Sequence, residues 1–196
     1  MSIEVGTTDT VDKPLRADAR RNRTRVMEEA RTAFAECGCD LPMEELARRA
    51  GVGVGTVYRH FPNKEALLDA LLVDQLTEIL ARTREALERD DAWEAFRELV
   101  RGGAEMQAED IAFCEVVMSR KAISDSAAVA VVRAELEAET TKLLERAKAG
   151  GRLRADFTLE DVPVLFASIA GAIRAAGPDG PWRRQVEYAL DGLRAS

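Results

Sequence analysis

The feature that most restricts this chain is the punctuation between residues 42 and 62, inside LPMEELARRAGVGVGTVYRHFPNKEALL. Pro42 and Pro62 bracket the segment, and Gly51, Gly53 and Gly55 divide it into two short pieces, 43–50 and 54–61. Leu46, Ala47 and Ala50 fall on one helical face of the first piece. Proline suits a helix start and glycine suits a helix end. Two short helices crossing steeply through a glycine-eased turn make a helix-turn-helix.

Alternating glycines before a helix also raise the question of a phosphate-binding loop. A dinucleotide fingerprint requires a strand, then G-x-G-x-x-G, then a helix. Here Thr56 and Tyr58 stand where the third glycine belongs, and the preceding piece has a helical pattern. No Gly-Lys-Ser/Thr follows, so a P-loop fails as well. Gly51 is therefore expected to supply the turn and Gly53 to cap the next helix. Gly55 falls in the first turn of that helix, where a missing side chain lets the backbone lie close against another surface.

The rest of the chain patterns as helix throughout. Residues 1–15 lack period and read as a disordered arm. A first helix is expected over 17–37, with Val26, Ala30, Ala33 and Phe34 as its apolar stripe and Gly38 as its stop. A long fourth helix, 64–89, carries Leu68, Leu72, Leu76, Ile79 and Leu80, with Asn63 as its cap. Further helices fit 91–107, 109–122 and 126–149. Thr158 and Asp161 resemble a capping box before the stripe Val162, Leu165, Phe166, Ile169, Ala170, Ile173. The ridge Ala167, Gly171, Ala175 is all small and allows another helix to approach closely. A last helix after Gly180-Pro181 aligns Trp182, Val186, Ala189, Leu190 and Leu193. The expectation is an all-α chain of about nine helices, divided into an arm (1–15), a three-helix unit (16–62) and a larger helical body (63–196).

Charge is unevenly placed. Net charge is −7, yet residues 1–68 hold 11 basic and 11 acidic residues, leaving 17 and 24 for the remainder. Lys13, Arg16, Arg20, Arg21, Arg23 and Arg25 concentrate positive charge ahead of the helix-turn-helix. His60 is the only histidine and sits inside that motif, so histidine-based nucleophilic catalysis or a histidine metal site has almost nothing to draw on. Cys37, Cys39 and Cys114 cannot form a disulfide framework, and Cys37-x-Cys39 is too sparse for structural zinc. They read as buried or incidental thiols, with a redox sensor as the alternative. The longest uncharged run, 162–173, suits a core helix rather than a membrane span. With no basic-then-apolar leader at its start, the chain is expected in the cytoplasm.

The run LPMEELARRAGVGVGTVYRHFPNKEALL resembles the DNA-binding motif of TetR-family transcriptional regulators. The resemblance covers roughly residues 16–70, including the basic lead, Phe34, the Ala-Gly-Val turn, Tyr58, Phe61 and Lys64. It implies a ligand-responsive regulator, a repressor and not an enzyme, with no cofactor or catalytic residue. It also implies a homodimer on a palindromic double-stranded operator, and an unknown small-molecule effector.

By position in the family motif, Val54, Gly55, Thr56, Tyr58, Arg59 and His60 form the recognition helix. Val54 and Thr56 are then expected at base edges, and Tyr58, His60 and Lys64 at phosphates. Arg59 suits either a phosphate or a guanine, and Arg20, Arg21 and Arg23 suit backbone or minor-groove charge. Tyr58 and Lys64 alternatively suit core packing and an ordinary surface position. Departures from the family pattern are Gly53 for a common serine, Val54 for a common lysine and Pro42 for a common threonine. Specificity should therefore lean on backbone approach and DNA shape. Trp93, Phe96, Met106, Phe113, Met118 and Phe166 are the effector-pocket candidates, though the same residues suit a plain core. Phe166, Ala167, Ile169, Gly171, Trp182, Val186 and Leu190 are the candidate dimer surface.

Overall fold

The structure, a computed structural model, describes residues 12–37, 41–119 and 124–195. These hold nine helices and no strand: α1 (Asp12–Cys37), α2 (Met43–Arg49), α3 (Val54–His60), α4 (Lys64–Leu87), α5 (Ala92–Glu109), α6 (Ile111–Ser119), α7 (Ala127–Ala149), α8 (Asp161–Ala176) and α9 (Trp182–Gly192). An isolated antiparallel bridge joins Leu153 to Arg194. The chain divides into two compact units, Met1–Leu67 and Leu68–Ser196. Among the described residues no helix is long and apolar enough to cross a membrane. Nor is any group of three or more His, Cys, Asp or Glu side chains placed to hold a metal ion.

In the first unit α1, α2 and α3 pack on one another. Val26, Ala30, Ala33, Phe34, Leu46, Ala47, Val57, Phe61 and Leu67 are among its buried side chains. Helix α1 begins at Asp12, earlier than the pattern suggested. Pro14 then lies in the first turn, where its missing N–H has no intrahelical partner to lose. Residues 12–15 of the expected arm are thus helical, and residues 1–11 lie outside the described residues, as do Gly38, Cys39 and the side chain of Cys37. Glu45 binds Arg48 through two bonds of 2.7 and 2.5 Å and also accepts from Arg49. These hydrogen bonds from Arg48 and then Arg49 pull its carboxyl down to about 2. Arg49 also reaches Glu36 of α1 at 2.7 Å, which ties α2 to α1.

In the second unit α5 is the central element, packing on α6, α7, α8 and α9. Asp91 caps α5 by accepting the Glu94 N–H at 3.0 Å. Trp93, Phe96, Val100 and Ala104 point from α5 into a core that also takes Leu143, Leu144, Phe157, Ile169, Ile173, Trp182, Val186 and Leu190. Gly103 lets α8 come close, because a Cβ there would stand 2.6 Å from Phe166 Cε1. Arg97 and Arg101 of α5 grip Glu187 of α9 at 2.7–2.9 Å. Hydrogen bonds from Arg101 chiefly, and from Arg97, hold the Glu187 carboxyl down at about 2. Ahead of α8, Asp161 accepts from both the N–H and the hydroxyl of Thr158, at 2.6 and 2.9 Å. This is half of the expected capping box. The Thr158 hydroxyl is spent as a donor to Asp161, and the regular helix starts only at Asp161.

The packing of α8 and α9 places four of the seven candidate dimer residues inside the chain. Ile169, Trp182, Val186 and Leu190 are at most 3% exposed and belong to the core of their own chain. A side chain sealed inside its own chain has no surface left for a partner. On the outer side of α8 stand Val164, Ala167, Gly171 and Ala175, with Tyr188 exposed on α9. Phe166 lies between the two situations, half-buried against α5.

Candidate nucleic-acid interface

The turn between α2 and α3 is built by one glycine and one arginine. Gly51 has φ +63°, a conformation that side chains beyond glycine resist. The guanidinium of Arg25, on α1, donates to the carbonyl of Ala50 at 2.7 Å and closes the end of α2. The Val52 N–H returns to Ala47 O at 3.0 Å, and Thr56 N–H to Gly53 O at 2.8 Å, so the turn passes directly into α3. Arg25 was legible in the sequence only as one more member of a basic cluster. Its partner is a carbonyl 25 positions away, and a carbonyl carries no sequence signal.

Helix α3 buries Val57 and ends on buried Phe61. Its outer face carries Val54, Gly55, Tyr58 and Arg59, with Val54 and Tyr58 exposed at 41% and 40%. Thr56 and His60 are half-buried on the flank, and Lys64, the first residue of α4, is half-buried too. The structure thus brings four of the six expected recognition-helix residues onto one open face and turns Thr56 and His60 aside. Gly53 has an ordinary φ of −67°, and the atom nearest to an added Cβ would be Thr56 Oγ1 at 3.8 Å. At Gly55 a Cβ would meet nothing within 4 Å. Neither position needs glycine for the protein's own packing.

The arginines of α1 differ among themselves. Arg23 lies over the Phe61 ring, 5.3 Å from its centroid, with Nη1 3.1 Å from the Met27 sulfur. Its guanidinium therefore also packs the end of α3. Arg21 is exposed and pairs with Asp18. Arg20 is exposed.

Two family models divide the chain between them. The model for bacterial regulatory proteins of the tetR family matches residues 26–71, and the model for the C-terminal domain of SbtR-like transcriptional regulators matches residues 90–195. The chain belongs to the TetR family. A TetR transcription regulatory protein from Mycobacterium vanbaalenii is 36% identical, with 93% of this chain and 100% of that one aligned at a TM-score of 0.63. A TetR transcriptional regulator from Streptomyces coelicolor is 28% identical over 89% of this chain and 99% of that one, also at 0.63. The transcriptional regulator UidR of Escherichia coli is 35% identical over 75 residues, which span 38% of each chain. TetR-family members are DNA-binding transcriptional regulators and not enzymes.

In this TetR-family chain the effector candidates fall into two groups. Trp93 and Phe96 are packed core, with ring centroids 6.0 Å apart and Phe157 edge-on to Phe96 at 5.9 Å. Phe113 is buried as well. Met106, Met118 and Phe166 are half-buried. The Met106 sulfur accepts from the amide of Gln75, a buried side chain, at 2.9 Å. Cys114 is buried, with its thiol 3.9 Å from the Met106 carbonyl. An open cleft of ≈ 360 Å³ lies between the 154–157 segment and α8, and none of the six candidates lines it.

Proposed function

We propose that the chain is a sequence-specific DNA-binding repressor that grips a palindromic operator as a homodimer and is modulated by a small-molecule effector. The observation that carries the reading is the outer face of α3. Val54, Gly55, Tyr58 and Arg59 face outward there, on a helix whose inner face is fixed by Val57 and Phe61. That face is slender enough for a major groove and has one aromatic hydroxyl and one guanidinium at its rim. Val54 serves the bases from the open face, with Thr56 on its flank, and Gly55 lets the backbone lie close. Tyr58, Arg59, His60 and Lys64 serve the phosphates or, for Arg59, a guanine, and Arg20, Arg21 and Arg23 add charge from α1.

The homodimer is assigned to the outer side of α8, where Ala167 and Gly171 leave room for a second helix and Phe166 lies at the edge. The effector is assigned to the larger unit, near Met106, Met118 and Phe166, with Trp93, Phe96 and Phe113 as the apolar wall. Differential binding of the effector to two states of the dimer is what would couple it to the operator, and the coupling is reciprocal. Selection of bound fragments from random double-stranded DNA with the purified full chain tests the reading. Enrichment of a palindrome supports it. Absence of any enriched sequence, at low and moderate salt alike, overturns it.

A further inference from the structure

The Tyr58 hydroxyl, assigned above to a DNA phosphate, already has a partner. It donates to Glu44 Oε1 at 2.9 Å, from α3 across to α2. Both side chains are exposed, so burial does not force this bond on them. Pro42 precedes α2 and offers no side-chain cap there. The main-chain N–H of Glu44, and then the Tyr58 hydroxyl, hold the Glu44 carboxyl below the usual carboxylate range. The Tyr58 hydroxyl is raised in turn, chiefly by its hydrogen bond to that carboxylate.

A phenol has one proton to donate. While that proton lies on Glu44 it cannot lie on a phosphate. A carboxylate at hydrogen-bond distance from the phenol oxygen also repels any phosphate brought to the same place. We propose that Glu44 is a phosphate surrogate, an intramolecular competitor that occupies the Tyr58 hydroxyl until DNA displaces it. This rests on the DNA-binding reading given above. Phosphate contacts carry no sequence information, so the competition weakens every duplex by the same factor. Its effect is to lower the grip on random DNA to a level at which only duplexes with good base contacts to α3 are retained.

Two measurements test the pair. The chain has two tyrosines, so Tyr188→Phe leaves Tyr58 alone for ultraviolet titration of the DNA-free protein. Glu44→Gln should then lower the pH at which Tyr58 ionises, and an unchanged titration overturns the proposal. The second measurement is duplex affinity, on the selected operator and on random DNA. Glu44→Gln should strengthen both alike, about three- to fivefold at low salt. In a Tyr58→Phe background the same change should gain less than about 1.5-fold, because no hydroxyl remains to compete for.

An equal gain in both backgrounds overturns the proposal, since Glu44 would then act as a bare charge. Weaker binding by Glu44→Gln also overturns it, and makes the bond a structural tie between α2 and α3. If neither the wild-type chain nor Glu44→Gln retains any duplex, the regulator reading fails and this one fails with it. If duplex binding is intact but insensitive to Glu44, this proposal fails alone.

Discussion

Helices α3 and α9 are both short and both have one side in solvent, yet they are held in opposite ways. Helix α9 is held by its side chains. Trp182, Val186 and Leu190 are buried at successive turns, the Trp182 indole donates to Pro178 O at 2.7 Å, and Glu187 is gripped by two arginines of α5. Helix α3 is held by its ends. It buries Val57 alone within its length, it has no side-chain cap, and it depends on the Gly51 turn before it and Phe61 after it. A helix fixed at its ends leaves most of one face clear of packing.

The contrast can be broken most forcefully at Trp182. Trp182→Ala removes a fully buried indole and should cost about 3–5 kcal/mol in urea unfolding. A loss below 1 kcal/mol would mean that α9 is not anchored by its core face. On the α3 side the corresponding anchor is the turn. Gly51→Ala has to hold φ +63° with a Cβ set 2.9 Å from the Arg25 guanidinium. It should cost about 1–3 kcal/mol, read by the same unfolding assay.

The ion-pair part of the α9 anchor is weaker, since Glu187 is 41% exposed and solvent screens it. Glu187→Gln should cost at most about 1 kcal/mol. The sign with pH follows from a carboxyl lowered from 4.5 to about 2. Its contribution is complete above the ordinary value and is lost as pH falls from near 4.5 towards 2. The acid-side decline of stability over that window should therefore be shallower in Glu187→Gln than in the wild type.

The smallest expected change in stability has the opposite sign. Gly55→Ala adds a methyl into open space and removes a poor helix former, so stability should rise by about 0.5–1 kcal/mol. Duplex affinity, followed by fluorescence anisotropy, should fall. A variant that is more stable and binds DNA as well as the wild type would remove the case for close approach at that position.

Local patterns carried most of the fold into the sequence. Asn63 accepts the Ala66 N–H at 2.7 Å as the expected cap of α4, and Gly51 takes the left-handed turn conformation. The misreadings have two physical sources. Helix α8 is apolar on two sides, with Ile169 and Ile173 buried and Val164 67% exposed. Periodicity shows that a stripe exists but not which stripe faces its own chain, so it does not separate core residues from surface ones on α8. The second source is distance along the chain. Arg25 with Ala50, Glu44 with Tyr58 and Arg101 with Glu187 lie 25, 14 and 86 positions apart. Each is a surface charge until the fold brings its partner. The exposed face of α3 was legible because it lies within seven residues of a single helix, whereas the pocket candidates are scattered over three helices whose mutual packing no pattern specifies.

The open space beside Gly55 also has a practical meaning. Positions 54, 55 and 59 face away from Val57 and Phe61, so changes there should leave the packing of α3 in place. A combinatorial library at those three positions should yield mostly folded variants, and, if α3 reads bases, some with altered sequence preference.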